Sequence, residues 1–174
     1  MDMLKRAYIL ATKTILNLSS RWHGLMLGVT LLAGPLFVSF CGVFFALIGW
    51  LDKKPVVFKL SLLILITFCL VTVLKHLFRK TRPDTDYARK MKFSKYSFPS
   101  GHATVGSVLW YGIVLVLSNL GMPAGLVLAM TFVAPPVVFL IGISRVYLGA
   151  HYLIDVLVGW AIGLTMTILF TFLM

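Results

Sequence analysis

Two histidines and one aspartate have the residue types and the spacing needed for nucleophilic and proton-transfer chemistry. His151 and Asp155 are four residues apart, so on a helix both side chains would lie on one face. A carboxylate that accepts the N–H of one imidazole nitrogen leaves the other nitrogen with a free lone pair, usable as nucleophile or base. His102 follows the stretch PSG at a predicted helix start, where it could give or take a proton. Taken singly, each motif is also compatible with a structural His–Asp pair or an ordinary interfacial histidine.

Groups suited to holding a phosphate occur beside these residues. Ser100 is a good helix cap, and the free backbone N–H groups of a helix start bind anions, with Gly101 permitting close approach. Arg82 offers a planar fork for phosphate oxygens and Lys75 a point charge. These two cations are seven residues apart, so they would share a face if the helix continued that far.

A third cation belongs to the same set. Arg145 lies six residues before His151, across a turn that contains Gly149, and can point back at the same place. Three cations, a helix start and two histidines together predict a phosphoryl-transfer site, in which positive groups hold the charge of the phosphorus in transit. His151 would attack phosphorus and become a phosphohistidine, and His102 would protonate the leaving oxygen and then activate water. The chain has no glutamate and no carboxylate cluster, so neither a metal nor another cofactor is expected.

The elements that must position these residues are apolar helices. The chain has 174 residues, which fits one domain (1–174), and is 60% hydrophobic with 12% charged residues and a mean hydropathy of +0.99. A soluble domain of this size cannot hide so much apolar surface, so we expect an all-α integral membrane bundle. The predicted transmembrane helices cover about 24–51, 56–78, 102–120, 124–144 and 151–174.

The remaining sequence features refine this arrangement. Residues 1–22 are predicted to form an amphipathic helix lying on the membrane, and their charges argue against a cleavable signal peptide. Pro35 is expected to kink the first transmembrane helix and Pro135-Pro136 to interrupt the fourth. An even number of crossings separates the three motifs, so all of them are predicted to reach one face of the membrane.

The motif set resembles one known family. Lys75-x6-Arg82-Pro83, then Pro99-Ser100-Gly101-His102, then Ser144-Arg145-x5-His151-x3-Asp155 is similar to the signature of the type-2 phosphatidic acid phosphatase superfamily. The resemblance covers residues 75–155 and implies a membrane helix bundle with a metal-independent phosphatase site and a phosphohistidine intermediate. Bacterial members typically have six spans, and here residues 1–22 would stand where the first would be. Soluble vanadium haloperoxidases share this kind of site, but the composition argues strongly against them.

The resemblance also implies the partners and the location. Lipid A, undecaprenyl pyrophosphate, phosphatidylglycerol phosphate and phosphatidic acid are candidate substrates, and the bilayer is the medium. No nucleic acid and no obligatory protein partner is expected. The resemblance implies a bacterial inner membrane with the site at the periplasmic face, whereas the cation count by the positive-inside rule favours the cytoplasm.

Net charge is +11, and half of the cations fall between Lys75 and Lys95. The extra cations fit either a head group with several negative charges or anionic lipids in general, and those between Lys75 and Arg82 are expected to be flanking charges. They are Arg79, Lys80, Arg89, Lys90, Lys92 and Lys95.

Two alternatives to a phosphatase stay open. A lipid-to-lipid phosphotransferase would use the same residues. A non-catalytic membrane relative is disfavoured because His102, Arg145 and His151 are all present.

Overall fold

A computed structural model describes residues 10–91 and 95–174, and most of these residues are helical. One isolated antiparallel bridge, Thr81 with Tyr96, is the β-pairing found in the described ranges. The helices are α1 over 10–16, α2 over His23–Leu31, α3 over Pro35–Leu51, α4 over Pro55–Phe78, α5 over Asp86–Arg89, α6 over Gly101–Asn119, α7 over Ala124–Tyr147 and α8 over Leu153–Thr171; a short 3-10 turn, Ser20–Trp22, precedes α2.

Within residues 10–91 and 95–174, five helical stretches are long and apolar enough to cross a membrane, which confirms the predicted number. Their bounds are Ser20–Leu51, Pro55–Phe78, Gly101–Asn119, Ala124–Tyr147 and Leu153–Thr171.

The first and fourth predicted spans differ in detail from the structure. The first is broken rather than kinked: α2 ends at Leu31, and Gly34 adopts an extended conformation (ψ 153°) before Pro35 begins α3. A proline disfavours the helical conformation in the residue before it but suits the first helical position, which accounts for this break. The predicted interruption at Pro135-Pro136 is wrong, because α7 runs through both prolines. Membrane helices tolerate proline where neighbouring groups satisfy the freed backbone atoms.

Helix α6 forms the centre of the bundle. It packs against α4, α7 and α8. Half of the residues in its most apolar 18-residue stretch are buried, the largest share among the five spans. Its apolar side chains Val105, Val108 and Leu109 join a core cluster with residues of α3, α4 and α8. The helix that carries the PSGH motif at its start is therefore held by neighbours on several sides.

The outer surface of the bundle is apolar. Large side chains stand exposed along the outer faces of the long helices, among them Leu36, Phe40, Ile66, Phe132 and Ile168. A soluble monomer rarely exposes contiguous apolar surface on this scale, whereas a bilayer covers it without cost.

The prediction of an interfacial helix over 1–22 lies partly outside the described residues, which begin at residue 10. The part that is described packs onto the start of α8. Thr12 is buried, and its hydroxyl accepts a hydrogen bond from the Leu153 backbone N–H at 3.2 Å. Tyr147 donates its hydroxyl proton to the Ser19 carbonyl at 3.0 Å. The N-terminal segment thus contacts the bundle at the end where α7 and α8 meet.

Candidate active site

The polar motifs meet at one end of the bundle. The end of α4, the starts of α6 and α8 and the end of α7 all reach this end, as the even number of crossings predicts. Three hydrogen bonds join the connecting segments. The Ser100 N–H donates to the Asp155 carbonyl at 2.9 Å, Arg82 Nη1 to the Ala150 carbonyl at 2.7 Å and the Thr85 hydroxyl to the Gly149 carbonyl at 2.9 Å.

His151 is the buried imidazole of this site, with a relative exposure of 2%. Its Nε2 lies 3.2 Å from Arg82 Nη1. A guanidinium has no acceptor, so Nε2 must present its lone pair, and the proton of the neutral ring is then on Nδ1. Burial lowers the pKa of His151 to about 3; Asp155 opposes this effect, and Arg145, Arg82 and Lys75 add to it. His151 is therefore neutral at physiological pH, with an unprotonated Nε2.

Asp155 lies beside His151 and is fully buried. The two residues do not stack on one helix face, because α8 begins only at Leu153 and His151 belongs to the preceding turn. His151 Nδ1 is 3.7 Å from Asp155 Oδ2, beyond hydrogen-bond distance, and has no hydrogen-bond partner in the described part of the chain. Oδ2 accepts instead from the Tyr152 N–H at 3.0 Å, which caps the start of α8.

The sequence predicts a flanking charge at Lys80, and this prediction is wrong. Lys80 Nζ lies 2.6 Å from Asp155 Oδ1 in a salt bridge. The ammonium also lies 4.6 Å from the ring centroid of Tyr152 and 5.8 Å from that of Phe98. Two residues upstream of the Arg-Pro pair, Lys80 has no distinguishing sequence signal among the surrounding cations.

Arg145, at the end of α7, is 1% exposed. Its Nη1 donates to the Thr30 hydroxyl at 2.6 Å and to the Tyr87 hydroxyl at 3.3 Å, and the guanidinium lies 5.5 Å from the Tyr87 ring centroid. Its Nε has no hydrogen-bond partner among the described residues. Neither Thr30 nor Tyr87 has a sequence signal that marks it as a partner of Arg145, since a threonine in an apolar helix and a tyrosine in a basic loop are both common.

Lys75 and Arg82 converge by a route that their spacing does not predict. Helix α4 ends at Phe78, and Arg79 takes a left-handed conformation (φ 47°) that turns the chain. Residues 79–82 then run back beside residues 96–97, and Lys75 Nζ donates to the carbonyls of Tyr96 at 3.1 Å and Ser97 at 3.4 Å. Burial, followed by the nearby Arg145, lowers the pKa of Arg82 to about 10, which leaves it protonated at neutral pH.

The PSGH motif forms the start of α6, as predicted. Ser100 is fully buried, and its hydroxyl accepts from the Ala103 N–H at 3.4 Å, so this oxygen serves as the helix cap. A Cβ at Gly101 would meet only Val71 Cγ1, at an ordinary 3.6 Å. His102 follows in the first turn of α6, at the same end of the bundle as Lys75, Arg82, Arg145 and His151.

Two of the outer cations, Arg89 and Lys95, line a surface cleft. Arg89 forms ion pairs with Asp84 and, at 2.7 Å, with Asp86, and Lys92 lies outside the described residues. A cleft of about 370 Å³ connects this region with Arg82 and is lined by Arg82, Pro83, Asp84, Ala88, Arg89, Met91 and Lys95. The cleft therefore lies between residues of the basic loop and Arg82.

The site contains a large excess of positive charge. Asp155 is the buried carboxylate of the described chain and pairs with Lys80, whereas Lys75 and Arg145 at the same end of the bundle have no carboxylate within ion-pair distance among the described residues. Arg82 is a further cation at this end. Over residues 10–91 and 95–174, no three His, Cys, Asp or Glu side chains group closely enough to hold a metal ion. A buried cation excess is costly unless an anion balances it, so the site is suited to a bound phosphate.

A model of the PAP2 superfamily matches residues 56–174. The chain belongs to the PAP2 superfamily. This confirms the resemblance drawn from the motifs, and the matched region contains every one of them. Phosphatidylglycerophosphatase B of Bacillus subtilis is 41% identical to this PAP2 chain over 96 residues, and undecaprenyl-diphosphatase of Sulfolobus acidocaldarius is 29% identical over 113 residues. These alignments cover 53% and 60% of the chain and 45% and 50% of the relatives, so the chain matches about half the length of each.

Two solved structures have the same fold. The transmembrane PAP2-type phosphatidylglycerolphosphate phosphatase of Bacillus subtilis superimposes with a TM-score of 0.84 at 27% identity, covering 99% of this chain and 87% of the other. LpxE of Aquifex aeolicus superimposes with a TM-score of 0.68 at 24% identity, covering 94% and 93% of the two chains, and shows the fold alone. The five apolar helices and the membrane-embedded PAP2 relative make this PAP2 chain an integral membrane protein.

Proposed function

We propose that the protein is a metal-independent lipid phosphatase that acts through a phosphohistidine on His151. The observation that carries this proposal is the contact between Arg82 Nη1 and the buried His151 Nε2 at 3.2 Å. It places an unprotonated imidazole nitrogen against a cation that binds phosphate well. A phosphate that replaces His151 Nε2 as the hydrogen-bond partner of the Arg82 guanidinium would bring its phosphorus next to that nitrogen.

The phosphate would be held by cations and backbone amides. Lys75, Arg82 and Arg145 would contact its oxygens. Arg145 Nε, which has no hydrogen-bond partner in the described part of the chain, would donate to one of them. The Gly101 amide at the start of α6 would supply a further donor, with Ser100 fixing the geometry of that helix start. These groups together would stabilise the charge on the equatorial oxygens in the transition state.

The reaction would proceed in two displacements. His151 Nε2 attacks phosphorus, the P–N bond forms and the P–O bond to the lipid breaks, while His102 donates a proton to the departing oxygen. Water then attacks phosphorus and passes a proton to His102, and the P–N bond breaks. This step releases inorganic phosphate and restores both imidazoles. The neighbouring Asp155 would stabilise the positive ring of His151 as the P–N bond forms.

The substrate would be a phosphate monoester or diphosphate on a membrane lipid. The names of both curated relatives describe lipid phosphatases, and the apolar bundle surface would keep the lipid chains in the bilayer. The cleft that reaches Arg82 from the basic loop would admit the polar head group and water. Phosphatidic acid, phosphatidylglycerol phosphate, undecaprenyl pyrophosphate and lipid A all meet this description.

The experiment is phosphate release by purified protein in detergent with EDTA, tested on these four lipids. We expect release from at least one lipid, unaffected by EDTA, and a loss of at least 1000-fold in His151→Gln, consistent with removal of a covalent nucleophile. His23→Gln is the matched control, since His23 is exposed and belongs to α2. Phosphate that appears on an added acceptor lipid instead of in solution would contradict hydrolysis and indicate a phosphotransferase. An active His151→Gln variant would exclude the covalent mechanism.

A further inference from the structure

The carboxylate of Asp155 is held from both sides. Its Oδ1 accepts from Lys80 Nζ at 2.6 Å, and its Oδ2 accepts from the Tyr152 N–H at 3.0 Å. The second oxygen is also the one nearest to His151 Nδ1, at 3.7 Å. The position of this carboxylate relative to the imidazole therefore depends on Lys80 and on the backbone of Tyr152.

Lys80 has contacts that fix its own position. The ammonium lies between Asp155 and the rings of Tyr152 and Phe98, and its side chain is 32% exposed. With its charge directed at a carboxylate, Lys80 differs from Lys75, whose ammonium donates to backbone carbonyls. The contacts of Lys80 thus indicate a role directed at Asp155 rather than at a phosphate.

We propose that Lys80 is a positioning residue that holds the Asp155 carboxylate in place beside His151 and balances its charge. The effect of Lys80 on kcat rests on the proposed function, whereas its effect on the titration of His151 does not. The salt bridge joins the loop after α4 to α8, and neither end of it belongs to the phosphate-binding set.

Each element around His151 contributes a charged or titratable group. Arg82 comes from the loop after α4, Arg145 from α7, Lys75 from α4, His102 from α6 and Asp155 from α8. Among the described residues, Lys80 forms an ion pair with one of these groups, Asp155. Only Asp155 loses a direct partner, and an unbalanced carboxylate beside an imidazole favours the protonated ring.

The structural test is an NMR titration of histidine nitrogens in detergent micelles. The chain has four histidines, so protein labelled with nitrogen-15 histidine gives few signals, and His151→Gln identifies those of His151. We expect the titration midpoint of His151 to rise by about one pH unit or more in Lys80→Met and to return to the wild-type value in Lys80→Arg. Lys13→Met is the matched control, because it removes an exposed lysine from the same chain.

Coincident titrations in wild type and Lys80→Met would overturn the proposal. If Lys80→Met does not fold, Lys80→Gln retains a donor for Asp155 Oδ1 without the charge. We expect the midpoint of His151 to rise in Lys80→Gln as well, and an unchanged midpoint there would contradict the charge-balancing role.

The kinetic test separates this inference from the proposed function. With a lipid from which the wild type releases phosphate, we expect Lys80→Met to lower kcat roughly 10-fold with KM unchanged, and Lys80→Arg to restore it. The effect should vanish in an Asp155→Asn background, because the two residues act as one unit. A wild type that releases no phosphate would contradict the proposed function alone, since the NMR titration still decides the role of Lys80. A Lys80→Met enzyme with wild-type kcat would contradict the inference alone.

Discussion

The guanidinium of Arg145 is buried and forms no ion pair in the described parts of the chain. A hydroxyl of α2, that of Thr30, holds its Nη1 at 2.6 Å, and Tyr87 contacts the same nitrogen. Helix α2 lies outside the region that matches the PAP2 superfamily, which begins at residue 56. A helix beyond the matched region therefore positions one of the proposed phosphate ligands.

Replacing Thr30 tests this contact. Thr30→Val removes the acceptor of a buried charged donor, at a cost of about 1–3 kcal/mol, and frees the Arg145 side chain. We expect kcat/KM for phosphate release to fall about 10-fold. Thr30→Ser keeps the hydroxyl and serves as the matched control. Equal activities of the valine and serine variants would show that the contact does not position Arg145.

The site residues that can be predicted from sequence are those that belong to the family motifs. His102, His151, Asp155 and the three cations carry recognisable types at fixed spacing, and the structure brings them to one end of the bundle. Their proposed roles stay predictions. Lys80, Thr30 and Tyr87 could not be found from sequence, because their partners come from distant segments that only the tertiary fold brings together.

At the scale of elements, close contact between α6 and α8 sets the geometry of the site. Gly159 and Gly163 of α8 face small residues of α6, and a Cβ at Gly163 would approach the Thr104 carbonyl oxygen to 2.5 Å and Ser107 Cβ to 2.6 Å. Small residues allow membrane helices to pack this closely. Helix α6 begins with PSGH and α8 carries Asp155, so this packing fixes two motifs relative to each other.

Gly163→Ala tests the importance of this packing. We expect overpacking to destabilise the protein by about 1–3 kcal/mol, partly offset by the better helix propensity of alanine. Both the melting temperature in detergent and the rate of phosphate release should therefore fall. Gly125→Ala in α7 is the matched control, since a Cβ there meets nothing within 4 Å. A melting temperature for Gly163→Ala at or above that of Gly125→Ala would refute the close packing.

The apolar runs predicted the long helices well because a bilayer requires about 20 apolar residues of each span. Details that depend on neighbouring helices were harder to predict. Pro135-Pro136 lies within a continuous α7, and the proline at position 35 divides a span that was expected to be kinked. The route of Arg82 back to Lys75 was also missed, because it depends on a left-handed turn at Arg79.

On the scale of the whole molecule, the two ends of the bundle differ in charge. The site end carries the basic loop, whereas Lys53, Lys54 and Lys59 lie at the other end, where Lys59 donates to the Leu173 carbonyl at 2.7 Å. A simple cation count would place the site end in the cytoplasm. Because the structure directs Lys80 and Arg89 to carboxylates, part of that count has another use. The family resemblance implies the opposite orientation, and on that ground we propose that the site faces the periplasm.

Cysteine labelling in intact cells tests this orientation. Lys95→Cys places a thiol at the cleft of the site end, and Lys53→Cys places one at the other end; both positions are exposed. We expect a membrane-impermeant maleimide to label Lys95→Cys and not Lys53→Cys. The wild type, with Cys41 and Cys69 inside spanning helices, gives the background. The reverse labelling pattern would place the site in the cytoplasm.

Trapping the phosphorylated enzyme is the most direct test of whether His151 is the nucleophile. A radiolabelled lipid from which the protein releases phosphate would be mixed with it and quenched in alkali, where phosphohistidine survives, and the labelled peptide would be identified by mass spectrometry. We expect a phosphoryl group on His151 in the wild type and none in His151→Gln. Rapid release of phosphate with no label on His151, or with label on another residue, would contradict it.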